Sequence, residues 1–352
     1  MSARLDQRTG CRPSLAPIVA RLDGVGLIEH AVGSTPSPTS GHCADDAGRA
    51  LAVAARMRWD PDAVVVIDAC LGQLERSLRP DGTLALRLDE HGRPTDDPSS
   101  DDAHGRAVWG AALASTACLP TPLGARATRL FATLSRLRTA HLRAAAHAVV
   151  AAGVVLRRGG DAAPARELLE SCRPFIPPPS PRGDWPWPEP RLSYGNGLVV
   201  EAMLTLADLD HDRVARGRAL DLLRWLVAHE RSPAGHFSFT PVGGRGPGEP
   251  GGFDQQPIEA WALAEACAAA QPLDHRTEWA SVCGELDGWF DGRNDRGVVM
   301  WDRATGGAYD GLTPTGPNTN EGTESTLALI GTRWVAWRVG QRLADRSRSS
   351  RR

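Results

Sequence analysis

The pattern of apolar and polar positions along the chain predicts a helical protein. Segments rich in Ala, Leu and Arg have the length of helices, and loops rich in Gly, Pro, Asp and Asn separate them. Strand signals are sparse. The stretch at 63–70 (AVVVIDAC) is β-like in composition, but it lies inside a longer apolar pattern that also fits a helix. We therefore predict an all-α fold.

Two kinds of helical segment alternate along the sequence. Amphipathic segments, which have one charged side, occur at 129–141, 165–172 and 212–230. Segments that are small and apolar nearly all round occur at 47–57, 103–117, 142–156, 197–207, 257–270 and 325–337. Helices of the second kind are normally buried on every side.

The six buried segments predict an (α/α)6 toroid, in which an inner ring of helices is surrounded by an outer ring. A generic multi-helix bundle is the alternative. We assign the toroid to a single domain at residues 1–340 and expect the basic segment at 341–352 to be a disordered tail.

Polar loops precede five of the six buried segments. They contain the sequences SGHCADD, TDDPSSDD, PEPRLSYGN, PGGFDQQP and GPNTNEGTES, whereas the third buried segment, near residue 141, has no comparable polar start. In a toroid whose inner helices all run the same way, these loops meet at one end of the central cavity. We therefore expect a cup lined by carboxylates and amides at that end.

Two tryptophans lie in a proline-rich loop that precedes the fourth buried segment. Trp185 and Trp187 occur in the sequence RGDWPWPEP, where proline stiffens the backbone. Exposed indoles beside a polar cup would suit the apolar faces of sugar rings. The alternative is an aromatic lid packed on its own domain.

Composition excludes several classes of function. The net charge of −2 gives no electrostatic reason to expect nucleic acid or an anionic membrane as a partner. The seven cysteines are odd in number and widely spaced, which argues against a disulfide framework or a zinc site. No phosphate-binding or dinucleotide-binding motif is present, and the histidines are scattered without metal-ligand spacing, so we expect no cofactor and no metal. Without a signal-like apolar start we expect a cytoplasmic protein, and its oligomeric state stays open.

Several motifs, in order along residues 20–340, resemble a bacterial family of six-hairpin glycosidase-like toroid proteins. These motifs include SSDDAHGRAVWG, DWPWPEPRLSYGNGLVVEAML, GGFDQQPIEAWALAEA and GPNTNEGTESTLAL. Members of that family are often labelled glycosyltransferases or glycosidases. The resemblance implies an (α/α)6 barrel and a carbohydrate ligand. It matches Asp45, Asp46, Arg49, Asp102, Arg106, Asn196, Asp254, Gln255, Gln256, Asp310, Asn320 and Glu324 to the family's motif positions.

Glycoside hydrolysis needs two carboxyl groups, one protonated and one ionised. Neighbouring carboxylates suit this chemistry, because two like charges cannot both ionise cheaply and one pKa rises. We predict an acid/base set of Asp46, Asp102, Asp254 and Glu324, without assigning the proton donor. The competing interpretation is that aspartates at helix starts, Asp45 and Asp101 above all, are N-caps.

The other candidate residues would bind the substrate. Arginines three or four residues after an aspartate can hold it ionised, or form a purely structural ion pair. Vicinal amides can both donate to and accept from sugar hydroxyls. The predicted substrate-binding set is Asp45, Arg49, Arg106, Trp185, Trp187, Tyr194, Asn196, Gln255, Gln256, Asp310, Asn320 and Glu321.

Three functions remain open at this level. The first is a glycoside hydrolase acting on a microbial oligosaccharide or polysaccharide. The second is a non-catalytic glycan-binding or scaffold protein that assists glycosyltransferases. The third is another toroid enzyme, such as a sugar epimerase or lyase; such enzymes generally rely on histidine or tyrosine bases, which the polar loops hardly supply.

Overall fold

The computed structural model describes residues 12–95, 100–159, 162–179, 183–274 and 279–349. Within these residues the chain is mainly helical. The helices are α1 Ala16–Val19, α2 Ala44–Arg56, α3 Ala63–Ser77, α4 Asp101–Ser115, α5 Thr121–Leu134, α6 Leu142–Arg158, α7 Ala162–Cys172, α8 Asn196–Leu209, α9 Arg213–His229, α10 Pro257–Ala270, α11 Trp279–Phe290 and α12 Thr323–Ser349.

Three short antiparallel ribbons lie in the loops. β1 (Ala31–Val32) pairs with β2 (Thr35–Pro36), and β3 (His42–Cys43) pairs with β4 (Arg87–Leu88). β5 (Gly311–Thr313) pairs with β6 (Gly316–Asn318), with Gly311 opposite Asn318. These ribbons shape the segments that lead into α2 and α12.

The even-numbered helices form a closed inner ring. Helices α2, α4, α6, α8, α10 and α12 each contact the next one, and α12 contacts α2. Helices α3, α5, α7, α9 and α11 each pack on the inner helix that precedes them, and α1 packs on α12 and α3. The predicted (α/α)6 toroid is therefore confirmed. All six buried segments of the sequence became inner helices.

Small residues let the inner helices approach each other closely. A Cβ atom on Gly110 of α4 would lie 2.2 Å from the carbonyl oxygen of Gly48 in α2. A Cβ atom on Gly197 of α8 would lie 2.3 Å from the carbonyl oxygen of Ala262 in α10. The ring is therefore held partly by backbone-to-backbone contact, which explains why its helices are rich in Ala and Gly.

Some predicted elements differ from the observed ones. The amphipathic segment placed at 129–141 is instead α5, Thr121–Leu134, because Pro122 starts the helix and the following residues turn towards α6. The β-like stretch at 63–70 lies in α3. Helix α12 continues to Ser349, so residues 341–349 are helical where the sequence predicted a disordered tail, and 350–352 lie outside the described residues. Arg, Leu and Ala are good helix formers, which accounts for the extension.

Three further findings concern the cysteines, membranes and metal sites. Cys43, Cys70, Cys118, Cys172, Cys267 and Cys283 are free thiols, and Cys11 lies outside the described residues. In the part of the chain that the structure describes, no helix is both long and apolar enough to span a bilayer. The same residues contain no cluster of three side chains suited to holding a metal ion.

Candidate functional site

The N-terminal ends of all six inner helices surround one cavity of ≈ 130 Å³. Residues of α2, α4, α6, α8, α10 and α12 line it, together with residues of the loops that precede α8 and α10. They are Arg49, Arg106, Trp109, Arg143, His147, Tyr194, Gly195, Leu198, Glu201, Gln256, Ile258, Trp261, Ala262, Glu265 and Glu324. Five of the sixteen predicted site residues line this cavity.

Arg49 links three carboxyl groups at the mouth of the cavity. Its Nη1 atom lies 2.9 Å from Asp46 Oδ1, and its Nη2 atom lies 2.5 Å from Glu324 Oε2 and 3.9 Å from Asp45 Oδ2. Burial, together with the charges of Glu324 and Asp45, raises the pKa of Asp46 well above its usual value despite the opposing effect of Arg49. Burial lowers the pKa of Arg49, but the charges of the three carboxyl groups outweigh burial, so the pKa lies above its usual value. Asp46 therefore supports Arg49 from its buried side.

A second network joins α2, α4 and the loop before α8. Arg106 Nη1 lies 2.9 Å from Asp45 Oδ2 and 3.6 Å from Asp102 Oδ2. The Tyr194 hydroxyl donates a hydrogen bond of 2.5 Å to Asp102 Oδ2. Burial and the Asp102 carboxylate raise the pKa of Tyr194 to about 12, so the phenol keeps its proton at neutral pH. Asp102 therefore orients Tyr194 and Arg106, which line the cavity.

Neither aspartate pair caps its helix. Helix α2 has Cys43 at its N-cap, and helix α4 has Ser100, whose Oγ accepts a hydrogen bond from the Ala103 amide at 3.3 Å. Asp45 and Asp46 belong to the first turn of α2, where their charge also complements the helix dipole. The interpretation of these aspartates as N-caps is therefore wrong. Residues 96–99 of the second loop lie outside the described residues.

The third inner helix contributes an arginine in place of a polar loop. Arg143 of α6 donates from Nη1 to Glu189 Oε1 at 2.6 Å and from Nε to the Tyr194 carbonyl oxygen at 2.9 Å. Its Nη2 atom lies 3.4 Å from Asn196 Oδ1. Asn196 is 1 % exposed and does not line the cavity, so its contact with Arg143 is a supporting one.

The tryptophans of the proline-rich loop support this arginine. Trp187 is only 2 % exposed, and its Nε1 atom lies 3.3 Å from Glu189 Oε2. Trp185 donates to the Glu189 carbonyl oxygen at 2.9 Å and packs edge-on against Trp225. The expectation of exposed indoles is wrong for Trp187, because both rings fold back onto their own domain and hold Glu189 against Arg143. Residues 180–182 of this loop lie outside the described residues.

The floor of the cavity combines two indoles with two glutamates. Trp109 and Trp261 lie with ring centroids 5.7 Å apart, and Trp261 Nε1 donates to Glu265 Oε1 at 2.9 Å. Glu265 also forms an ion pair with Arg56. Burial and the charge of Glu265 raise the pKa of Glu201 to about 8, although part of Glu201 faces the cavity. At neutral pH Glu201 is therefore a carboxylic acid inside the cavity.

His147 is the histidine of the cavity wall. Its Nδ1 atom lies 3.1 Å from the Arg143 carbonyl oxygen. Because a carbonyl oxygen only accepts, Nδ1 carries the proton and Nε2 is left as an acceptor. Burial and the charges of Arg106 and Arg49 hold the pKa of His147 well below its usual value. A neutral imidazole of this kind can remove a proton. His104, by contrast, contacts the Leu134 carbonyl oxygen between helices and does not line the cavity.

Eleven of the sixteen predicted residues do not line the cavity, and five of these lie in the loops before α10 and α12. Asp254 is exposed on the loop before α10, and Gln255 is fully buried, with its Nε2 atom 2.5 Å from Asp295 Oδ2. Asp310 accepts the Gly322 amide at 2.8 Å, and Asn320 accepts the Gly33 amide at 3.0 Å. Glu321 forms a buried ion pair with Arg21 at 3.3 Å. The side chains of Gln255, Asp310, Asn320 and Glu321 therefore connect loops to each other.

The predicted residues that line the cavity are Arg49, Arg106, Tyr194, Gln256 and Glu324. Asp45, Asp46, Asp102 and Asn196 contact these residues or Arg143 from behind. Sequence analysis missed Trp109, Arg143, His147, Glu201, Trp261 and Glu265, which all project from the helices themselves. The sequence does contain a signal for these six residues, because each is a polar or large aromatic side chain within a segment of otherwise small, apolar residues.

Comparison with solved structures supports the fold. Over 94 % of this chain and 96 % of the other, it is similar to a cellobiose 2-epimerase from Bacillus thermoamylovorans, with a TM-score of 0.70 and 12 % identity. A GH76 alpha-mannanase from Bacteroides thetaiotaomicron has a TM-score of 0.61 and 11 % identity over 94 % of this chain and 95 % of that one. A D-mannose isomerase has a TM-score of 0.62 and 13 % identity, covering 92 % and 95 %.

Sequence comparison alone adds nothing to this. No protein-family model matches the chain, and no curated protein is significantly similar to it. At identities of 11–13 % the structural matches establish the architecture and leave the chemistry to the residues of the cavity. The chain has the same (α/α)6 toroid fold as these structures.

Proposed function

We propose that this protein is a glycoside hydrolase whose catalytic site is the cavity at the N-terminal ends of the inner helices. One observation carries the proposal: of the three glutamates that line the cavity, Glu201 and Glu324 lie in unlike surroundings. Glu201 has a pKa raised to about 8, and Glu324 is paired with Arg49. Hydrolysis of a glycosidic bond requires one carboxyl group that gives a proton and one that is ionised.

Glu201 is the proposed general acid. A carboxyl group with a pKa of about 8 still carries its proton at pH 7 and can give it to the leaving oxygen. Glu324 is the proposed base or nucleophile, because Arg49 stabilises its negative charge at 2.5 Å. This assignment keeps one member of the sequence-based acid/base set and replaces Asp46, Asp102 and Asp254.

The remaining wall of the cavity suits a sugar. The indoles of Trp109 and Trp261 offer apolar ring surface, and Arg106, Tyr194 and Gln256 offer groups that bond hydroxyls. The similarity in fold to a GH76 alpha-mannanase adds support for a carbohydrate substrate.

A second candidate function is epimerisation or isomerisation of a reducing sugar, and His147 favours it. With Nδ1–H held by the Arg143 carbonyl oxygen, Nε2 is a neutral base that could remove a proton from a sugar carbon. Two of the similar folds are named as a cellobiose 2-epimerase and a D-mannose isomerase.

One experiment separates these functions. The protein is incubated in D2O with cellobiose and with mannobiose, and products are followed by proton NMR. Hydrolysis gives monosaccharides whose carbon-bound hydrogens are unchanged, whereas epimerisation gives a new disaccharide that carries deuterium at C2. We expect hydrolysis that Glu201→Gln reduces at least ~100-fold, since general acid catalysis contributes about 10²–10⁴.

The matched variant is His147→Asn, which preserves a side-chain donor near the Arg143 carbonyl oxygen. If hydrolysis is right, His147→Asn keeps most of the activity. If deuterium is incorporated at C2, and His147→Asn abolishes this incorporation while Glu201→Gln preserves it, the protein is an epimerase and the hydrolase proposal is wrong. The same mixtures, and a set of aryl glycosides, are also examined by saturation-transfer NMR. Signals from bound sugar without any product would indicate a glycan-binding protein.

A further inference from the structure

The end of the toroid opposite the cavity carries a group of arginines from different inner helices. Arg56 is the last residue of α2 and Arg58 follows it, Arg158 is the last residue of α6, and Arg338 and Arg342 lie in α12. Helices α6 and α12 are the third and sixth members of the inner ring, so their arginines face each other across the toroid axis. We call these five residues the arginine cluster.

The geometry around Trp334 places two of these guanidinium groups together. The guanidinium carbons of Arg56 and Arg338 each lie 4.9 Å from the Trp334 ring centroid. Burial, then the charges of Arg342, Arg56 and Arg158, lowers the pKa of Arg338 to about 10 even though Glu265 acts in the opposite direction. Burial and the charges of Arg56 and Arg58 lower the pKa of Arg158 as well.

Little negative charge balances the cluster. Arg56 is paired with Glu265. Within the described ranges, Arg58, Arg158, Arg338 and Arg342 form no ion pair with a carboxylate, and the Arg158 guanidinium contacts only the Thr116 hydroxyl, at 3.3 Å. Helix dipoles explain this in part, because cations are stabilised in the last turn of a helix. They do not explain Arg338, which lies about three turns before the end of α12 at Ser349.

We propose that the arginine cluster is a binding site for a small anion of the phosphate or pyrophosphate type. Arginine presents planar, forked donors that match phosphate oxygens, and a half-buried guanidinium surrounded by exposed ones suits a compact ligand with more than one negative charge. The site lies behind the Arg56–Glu265 pair that closes the floor of the sugar cavity, so it is separate from the proposed catalytic site and does not depend on it.

The test is isothermal titration calorimetry with sodium pyrophosphate, carried out at constant ionic strength against sodium chloride. We expect binding with a sub-millimolar Kd that Arg338→Gln and Arg158→Gln each weaken by ~10-fold or more. The control is Arg129→Gln, which removes an exposed arginine of the outer helix α5 and should change the Kd by less than twofold. Using two cluster variants protects the test should one of them fold poorly.

A second readout distinguishes a ligand site from a structural role. Because Arg338 lies among like charges, Arg338→Gln without pyrophosphate should leave the Tm unchanged or raise it, whereas pyrophosphate should raise the Tm of the wild type and not that of the variant. The proposal fails if pyrophosphate gives no heat beyond the chloride control. It also fails if Arg129→Gln weakens binding as much as Arg338→Gln, since binding would then follow net charge alone.

Discussion

Two glutamates three residues apart belong to different parts of the molecule. Glu324 is the second residue of α12 and faces the cavity, where it meets Arg49 at 2.5 Å. Glu321 lies in the preceding loop, is 2 % exposed, and accepts hydrogen bonds from Arg21 and from the Thr305 hydroxyl. Glu324 is therefore the candidate for a catalytic role, and Glu321 connects loops to each other.

Replacing each glutamate by glutamine should separate these roles. Glu324→Gln should lower kcat at least ~100-fold with little change in unfolding free energy, because the proposed base is lost while the buried Arg49 keeps Asp46 and Asp45 as counter-charges. Glu321→Gln should lower the unfolding free energy by about 2–3 kcal/mol, since it leaves the buried Arg21 without a counter-charge, and should hardly change kcat. Denaturant titration and steady-state kinetics on both variants give the comparison. A loss of kcat in Glu321→Gln that exceeds its unfolded fraction would contradict this division.

Sequence analysis could identify the polar loops but not the direction of each side chain within them. Asp254, Gln255 and Gln256 are consecutive, yet only Gln256 lines the cavity. Neighbouring residues in a loop point different ways according to backbone turns that residue type does not determine. The helical residues of the site could be found more reliably, because a charged side chain inside an apolar helix has few places to go; Glu201 and Arg143 illustrate this.

At the scale of elements, backbone contact between α2 and α4 sets the spacing of the ring. Gly48 and Gly110 face each other so closely that neither has room for a side chain. This contact brings Arg49, the next residue after Gly48, near Arg106 and allows the two arginines to share Asp45. The inner helices could be predicted from composition, since small apolar residues over whole turns indicate burial. The outer helix α5 was misplaced, because its amphipathic pattern continues past the end of the helix.

Adding a methyl group at this contact should damage the fold. Gly110→Ala would place Cβ 2.2 Å from a carbonyl oxygen that cannot move freely, and we expect the unfolding free energy to fall by about 2–3 kcal/mol. Gly217→Ala in the outer helix α9 is the matched control, because nothing lies within 4 Å of its Cβ position. There the substitution should stabilise by about 0.5–1 kcal/mol through helix propensity. Equal denaturation midpoints for the two variants would rule out close backbone packing.

At the scale of the whole molecule, buried acids make stability depend on pH. Burial raises the pKa of Glu259 to about 8 and that of Glu230 to about 7, and Glu201 titrates near 8. Glu259 accepts the Gly195 amide at 2.6 Å at the start of α8, so its protonation state affects the entrance to an inner helix. Each pKa is higher in the folded chain than in the unfolded one.

A raised pKa means that stability is present at low pH and is lost as the pH rises through the folded value. We therefore expect the unfolding free energy to decline between about pH 4.5 and pH 8, because the unfolded chain ionises these three acids near their usual pKa of 4.5 whereas the folded chain holds their protons up to about pH 7–8. Glu259→Gln should flatten part of this decline, because the amide has no proton to lose. Urea unfolding at a series of pH values measures the unfolding free energy as a function of pH. If this free energy declines as steeply in Glu259→Gln as in the wild type, Glu259 does not contribute to the decline.

The closure of the ring has a consequence for how the site is made. Arg21 contacts Glu321, the Thr323 hydroxyl donates to the Ile28 carbonyl oxygen, and Arg49 meets Glu324, so α2 and its leading loop are joined to residues some 300 positions later. During translation the earlier hairpins can assemble while α12 is still inside the ribosome, but the proposed base does not yet exist beside its arginine. The proposed base therefore meets its arginine only when the ring closes, and we expect a chain truncated before α12 to lack the proposed activity.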